Sequence, residues 1–344
     1  MDNAYTIELN IERLSSYLSR RIKDFEKILS AKKFSGGQSN PTFLLLTPTK
    51  KYVLRQKPQG TLLPSAHAID REYRVLQSLK STEIPAAIPY LICDEKEIIG
   101  SAFYLMSYIP GRIFWKPSLP ALSSSERAML FQNIISTLSK LHSIDPTVIG
   151  LSDFGREGNY FERQLTRWTK QYRMSETTQI REMDRLIDEF PKILPPDTNK
   201  TSLIHGDYRI DNLIFHPKEQ RIVAIIDWEL ATLGNSISDL AYLCMCLRMD
   251  PEQHISGVKG LDRSSLGIPS ESEMIDRYCE LCNAKPIYNW SIYLAFSFFR
   301  LAAICQGVLK RSIDGNAASS NAIRIGSMTD TLARMAIEVL EENR

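Results

Sequence analysis

The stretch Ile204-His-Gly-Asp-Tyr-Arg-Ile-Asp-Asn-Leu-Ile-Phe215, followed by Ile225-Ile-Asp-Trp-Glu229, decides how this chain is read. The apolar runs Leu213–His216 and Ile222–Asp227, either side of Pro217-Lys-Glu-Gln, predict the two strands of a hairpin. Asp207 and Asn212 stand five residues apart in the loop entering the first strand, and Asp227 ends the second, twenty residues after Asp207. A hairpin brings its ends together, so Asp227 is expected within reach of Asn212 and Asp207. That grouping suits phosphoryl transfer. One carboxylate orients an acceptor hydroxyl and takes its proton, while a second carboxylate and an amide oxygen hold Mg²⁺ against phosphates. Hard oxygen ligands suit Mg²⁺ better than Zn²⁺. A plain hairpin with turn-forming Asp and Asn explains any one of these residues but not the full pattern.

Outward from this hairpin, the chain reads as two lobes. At 344 residues it is long enough for about two domains. Ile11, Leu14, Leu18, Phe25 and Leu29 recur at helical spacing and predict one amphipathic helix. The segment from Thr42 to Arg55 predicts two strands around Pro48-Thr-Lys-Lys, followed by a helix from about Ser65 to Leu79. Ile88–Asp94 and Ser101–Ile109 predict two more strands flanking a charged turn that ends in Gly100. Pro110-Gly111 marks a break. Beyond it, Ser123 and Glu126 form a capping box ahead of Leu130, Ile134, Leu138 and Leu141. Further helical patterns run through about 158–190, 237–249, 271–284, 289–310 and 319–342, leaving the hairpin as the only β structure of this half. The expectation is an α+β plan, a small β-rich lobe over 1–107 and a larger helical lobe over 108–344.

Composition narrows the function classes. Forty-two basic against 40 acidic residues leave a net charge of +2, which disfavours nucleic-acid binding as the main activity. The six cysteines are too few and scattered for a disulfide scaffold, and Cys279 and Cys282, a lone CxxC in a helical stretch, read as buried thiols rather than zinc ligands. The start lacks a signal-peptide pattern. The most apolar run, Leu294 to Cys305, is broken by Arg300 and is expected to be too short to span a bilayer. A reduced, cytoplasmic protein without a membrane partner is expected.

His205-x-Asp207-x₄-Asn212 followed by Asp227 resembles the catalytic and metal-binding loops of the protein-kinase-like fold. His-Gly-Asp for His-Arg-Asp, and Asp-Trp-Glu for Asp-Phe-Gly, is similar to the aminoglycoside phosphotransferase family, and the likeness covers nearly the whole chain. Tyr52-Val-Leu-Arg-Gln-Lys-Pro58, Leu63-Pro-Ser-Ala-His67, the segment Gly155 to Gln164, and Tyr293 to Ile304 most resemble the branch found alone or fused to acyl-CoA dehydrogenases. With no room for a dehydrogenase domain in 344 residues, the stand-alone form is expected.

The resemblance implies ATP and Mg²⁺ as cofactors, Asp207 as catalytic base, and Asn212 and Asp227 as metal ligands. It also implies that His205 and Asp239 support the catalytic loop, Asp239 by accepting backbone N–H bonds; a plain N-cap is equally permitted for Asp239. Phe34-Ser-Gly-Gly-Gln-Ser-Asn40 matches the phosphate-covering loop, with Gly36 and Gly37 opening the backbone to phosphates and Ser39 donating. Arg55 stands where the wider fold has its phosphate-binding lysine, with Lys57 on the same strand face as an alternative. Glu72 matches the ion-pair partner, and Met106-Ser-Tyr108 the hinge that bonds adenine. Asp153-Phe-Gly155 spells the metal motif literally but precedes the catalytic loop, so it reads as a turn. His142 reads as a buried or helix-terminal histidine.

The acceptor pocket is expected in the helical lobe. Arg163, Arg167, Lys170 and Arg173 share one helix side, which points to an anionic small-molecule hydroxyl acceptor, with Arg163 and Arg167 as substrate residues; a solvated helix face is the alternative. The dehydrogenase-fused branch points the same way, toward a hydroxyacyl-CoA or hydroxyacid. Two functions remain open, a small-molecule O-kinase and a nucleotide-binding pseudokinase serving as an interaction module. Arg55 in the lysine position favours the second; intact Asp207, Asn212 and Asp227 favour the first. Sequence leaves the acceptor, ATP or GTP, and the oligomeric state open.

Overall fold

The computed structural model describes residues 9–34, 40–58, 69–155, 159–196, 201–253, 255–314 and 322–342. Helix α1 (Ile11–Arg21) is capped by the Asn10 side chain, which accepts from the Arg13 N–H, and buries Leu14 and Leu18. It does not run on to Leu29 as the spacing predicts. Ile22 is extended, and Ser30–Lys33 forms a strand, β1, that the apolar spacing concealed. Phe25 and Ile28 pack into the same cluster as Leu14 and Leu18, so the periodicity persists without a helix, while Leu29 is exposed.

β2 (Thr42–Leu46) and β3 (Lys51–Gln56) are the expected hairpin, followed by α2 (Ile69–Leu79), β4 (Pro89–Cys93), α3 (Lys96–Ile99) and β5 (Phe103–Ser107). The five strands form an antiparallel sheet in the order β1-β2-β3-β5-β4. Strand alternation gives the sheet two characters. Leu45, Leu54, Phe103 and Leu105 bury with α1, whereas Arg55, paired in register with Tyr104, faces the side from which α2 presents Glu72. That register puts a buried charge where a half-buried strand would ordinarily carry an apolar residue.

The remaining elements are α4 (Ser124–Ser143), α5 (Tyr160–Ser175), α6 (Arg181–Ile193), β6 (Ser202–Ile204), β7 (Leu213–Phe215), β8 (Ile222–Ile225), β9 (Thr232–Gly234), α7 (Ile237–Leu247), α8 (Arg263–Leu266), α9 (Glu271–Leu281), α10 (Trp290–Ile313), α11 (Ala322–Gly326) and α12 (Met328–Glu341). The Ser123–Glu126 capping box forms, each side chain bonding the other's backbone N–H. The 158–190 pattern is two helices, and the 319–342 pattern also divides in two. β7 and β8 pair as expected, but they are not the only β structure here: β6 pairs antiparallel with β9. Each strand of that second pair is three residues long, too short to show a period.

α10 organises this part of the chain, burying Leu294, Phe298, Phe299, Ala302 and Ala303 and contributing Phe296 and Phe299 to an aromatic cluster with Phe161 and Phe190. Its apolar run is longer than expected. The helix has 24 residues, enough by length and composition to cross a bilayer, yet 78% of its most apolar window is buried inside the protein. It is built as a core helix. The chain divides into two compact units, Met1–Pro110 with Ile226–Glu229, and Gly111–Ile225 with Leu230–Arg344. A single boundary between 107 and 108 would place Ile226–Glu229 in the second segment; by contacts they belong to the first unit.

Candidate active site

In the second unit, the loop between β6 and β7 carries His205, Asp207 and Asn212. Gly206 has φ of +84°, and a Cβ there would meet the Leu230 carbonyl oxygen at 2.6 Å, so only glycine makes this turn without strain. Asp239, in the first turn of α7 and fully buried, accepts the His205 N–H at 2.7 Å and the Gly206 N–H at 2.8 Å. It is not an N-cap: Ser236 holds that position, without a side-chain cap bond. His142 reaches Asp239 with Nε2 at 3.1 Å and the Tyr278 hydroxyl with Nδ1 at 2.7 Å, a buried structural network at the end of α4. Burial pushes the Asp239 pKa up, but the hydrogen bond and charge of His142, the charge of His205 and the Gly206 N–H outweigh it and leave it lowered.

Asp207 sits at the turn these bonds define. Its own N–H donates to His205 Nδ1 at 3.1 Å, and its Oδ2 accepts the Asn212 amide at 2.8 Å. The Asn212 Nδ2 also donates to the Asp207 carbonyl at 2.9 Å, so the amide oxygen points the other way, the end a cation would use. Arg209, which the motif reading passed over, lies 3.6 Å from Asp207 Oδ1 and pairs with Asp211 at 2.8 Å. Burial would lower the Arg209 pKa, but the Asp207 and Asp211 carboxylates raise it well above its usual range. Arg209, Ile210 and Asp211 also line a cavity of about 90 Å³ with Phe114, Trp115 and Leu243.

In the first unit, Arg55 is the hub of three carboxylates. Its Nε stands 2.9 Å from Glu72 Oε2, an ion-pair approach rather than an aligned hydrogen bond; its Nη2 is 2.5 Å from Asp227 Oδ1 and 3.5 Å from Glu229 Oε2. Glu72, only 1% exposed, also accepts from Asn40 at 3.1 Å and from the Tyr104 hydroxyl at 2.8 Å. Burial pushes its pKa up to about 7 and the Asp227 charge adds to this, against Arg55 and the two hydrogen bonds. Asp227 takes φ of +68°, a conformation a non-glycine residue adopts only where its surroundings hold it. One carboxylate oxygen from each of Glu72, Asp227 and Glu229 lies within 4.8 Å of the others. An all-oxygen, acidic donor set fits a hard divalent cation.

The other expected residues separate. Lys57 falls beyond β3, its backbone bonded to Ala102 and Ser101; Arg55 holds Glu72. Met106 and Tyr108 are half-buried at and just past the end of β5, where Lys51 lies over the Tyr108 ring. Gly36, Gly37 and Ser39 lie outside the described residues. On α5, Arg163 is half-buried near the Leu233 carbonyl, and Arg167 lies over Trp168. Arg173, from the same stripe, is taken up by Asp184 of α6 and by Glu176 at the end of its own helix, so the stripe is partly neutralised. Asp153-Phe-Gly155 forms a turn. The residues sequence reasoning missed, Asn40, Tyr104, Arg209 and Glu229, carried only register and neighbour signals: Tyr104 faces Arg55 across β3 and β5, and Glu229 follows Asp227 by two.

The family model described as "Phosphotransferase enzyme family" matches residues 30–263. Over 304 residues, 88% of this chain and 28% of the relative, the sequence is 45% identical to acyl-CoA dehydrogenase family member 10 of Mus musculus. The chain spans less than half the length of the curated relatives it matches. The crystal structure of a Ralstonia eutropha protein provisionally named aminoglycoside phosphotransferase superposes with a TM-score of 0.87 at 42% identity, over 97% of this chain and 99% of that one. Aminoglycoside phosphotransferase APH(4)-Ia, in a ternary complex with ADP and hygromycin B, superposes with a TM-score of 0.62 at 13% identity, over 94% and 98% of the two chains. That second likeness carries the fold alone. The architecture is the α+β, protein-kinase-like fold.

Proposed function

This chain belongs to the phosphotransferase enzyme family, and from that premise we propose that it is an ATP- and Mg²⁺-dependent, cytoplasmic kinase of an anionic small molecule, phosphorylating an alcohol hydroxyl of a hydroxyacid or hydroxyacyl-CoA. The observation that carries this reading is Asp207, half-exposed at a glycine turn, with its backbone N–H on His205 and its carboxylate on the Asn212 amide. A group whose backbone and side chain are both fixed is suited to act as a positioned base. Asp207 takes the acceptor proton as the hydroxyl oxygen bonds to the terminal phosphorus; the bond from that phosphorus to the bridging oxygen breaks, and ADP leaves. Asn212 and Asp227 would hold Mg²⁺, which supplies charge neutralisation at the phosphates. Arg55, a planar fork already serving three carboxylates, suits phosphate oxygens equally well. The nucleotide assignment draws on the ADP complex of APH(4)-Ia, and the acceptor class on the acyl-CoA dehydrogenase relatives and the Arg163 and Arg167 face.

A nucleotide-binding module without catalysis is the second reading. It draws on the Arg55–Asp227 contact, which occupies a carboxylate assigned to the metal. ADP release from Mg-ATP over a panel of hydroxyacyl-CoA thioesters, hydroxyacids, choline, homoserine and aminoglycosides separates the two. The kinase reading expects acceptor-dependent turnover that collapses in Asp207→Asn; equal turnover by both proteins would remove Asp207 as base. Arg163→Glu and Arg167→Glu are expected to raise the acceptor KM, and an unchanged KM would discard the anionic-acceptor face.

A further inference from the structure

α10 contributes a residue that the kinase motifs leave without a role. Arg300 is 6% exposed in the middle of the core helix, with its guanidinium carbon 5.4 Å from the Trp168 ring of α5 and 5.1 Å from the Tyr242 ring of α7. A buried cation ordinarily needs a carboxylate. This one donates through Nη2 to the Gly206 carbonyl oxygen, and its buried Nε has no hydrogen-bond partner among the described residues.

The bonded carbonyl is what matters. It belongs to the Gly206–Asp207 peptide, the plane that carries the Asp207 Cα. The N–H at the other end of that plane is held by His205 Nδ1 at 3.1 Å. The preceding plane is held by Asp239, through the Gly206 N–H at 2.8 Å. A peptide is rigid, so fixing its C=O and N–H fixes the direction in which the next residue leaves. Gly206, at φ of +84°, has no side chain to hold the turn itself. We propose that Arg300 is a positioning residue for the catalytic base: by anchoring the Gly206 carbonyl it sets the orientation of Asp207, while Trp168 and Tyr242 hold the guanidinium flat for that contact. This rests on the kinase reading of Asp207. Arginine rather than lysine is expected, because a flat cation stacks on two rings and still points a donor at the carbonyl.

The test compares Arg300→Met, Arg300→Lys and Phe299→Leu, a core change on the same helix. Turnover and amide hydrogen exchange are followed in each. In Arg300→Met, kcat is expected to fall about 100-fold, the scale of a small misplacement of a reacting group, with the KM for ATP within about twofold of wild type. Arg300→Lys, which keeps charge and a donor, is expected to recover about tenfold of that loss. Exchange at the Asp207 amide is expected to accelerate in Arg300→Met and not in Phe299→Leu, which lowers Tm alone. Unchanged protection at Asp207 in Arg300→Met, or an equal kcat loss in Phe299→Leu, overturns the proposal. Should wild type turn over no acceptor, the kinase reading falls, and the exchange arm still decides whether Arg300 sets the loop.

Discussion

The Asp207 loop and the Arg55 cluster are both built from carboxylates and cations, yet they are held in opposite ways. Around Asp207 the anchors are backbone bonds: Asp239 takes two N–H groups, His205 a third, and Arg300 a carbonyl. Around Arg55 one guanidinium is shared among the Glu72, Asp227 and Glu229 carboxylates through side-chain ion pairs. Backbone anchoring makes a preorganised loop, whose geometry persists through a reaction. A shared side-chain cation makes a set of contacts that can be exchanged for phosphate or metal. On the proposed function, the first region does the proton chemistry and the second handles the nucleotide.

The largest effect that would break this comparison lies on the first side. Asp207→Asn should lower turnover by about 10²–10⁴-fold, the range for a general base, with a Tm near wild type. A steady-state assay beside a melting curve checks it, and a variant that loses stability instead would make Asp207 structural. Asp239→Asn should act through the fold. Its amide would set an NH₂ against donors that now meet a carboxylate, and breaking a buried pair costs about 3–5 kcal/mol in denaturant unfolding. Because the Asp239 carboxyl is lowered in the fold, its contribution is complete above its unfolded value of 3.8 and fades as the pH falls below it. Acid unfolding of the wild type should therefore steepen there more than that of the variant.

The second side should respond to pH near neutrality. Glu72 is raised from 4.5 to about 7, so the folded state holds more protons than the unfolded one between those values. Stability from this group is present at low pH and declines as the pH rises through about 7. Glu72→Gln should flatten that decline, and parallel unfolding curves from pH 5 to pH 8 for both proteins would contradict it. Gly206→Ala should cost about 1–3 kcal/mol of stability, from the left-handed strain and the close Leu230 carbonyl. It should cut turnover more than its loss of stability explains, because the strain falls on the loop itself.

How much of this was legible depended on the signal each element leaves. The β7–β8 hairpin and the Ser123–Glu126 box were readable because period and capping chemistry are local. β1 and the β6–β9 pair were not, since three or four residues carry no period and their pairing is decided elsewhere in the chain. The end of α1 was hidden because Phe25 and Ile28 kept the apolar spacing for reasons of packing. Glu72 alone reads as a surface residue on a helix; the resemblance names it the ion-pair partner, and the structure pairs it with Arg55 and adds Tyr104, which only the sheet register reveals. Arg300 reads as a break in an apolar run, because nothing near it in sequence names the Gly206 carbonyl.

On the proposed function, the two regions divide the labour. Equilibrium binding of ATP, with and without Mg²⁺, measured beside turnover in Asp207→Asn and Asp227→Asn, tests that division most directly. Asp207→Asn should bind Mg-ATP as wild type does and turn over almost none of it, while Asp227→Asn should lose the Mg²⁺-dependent part of binding. Wild-type turnover in Asp207→Asn, or Mg²⁺-dependent binding left intact in Asp227→Asn, would contradict the account.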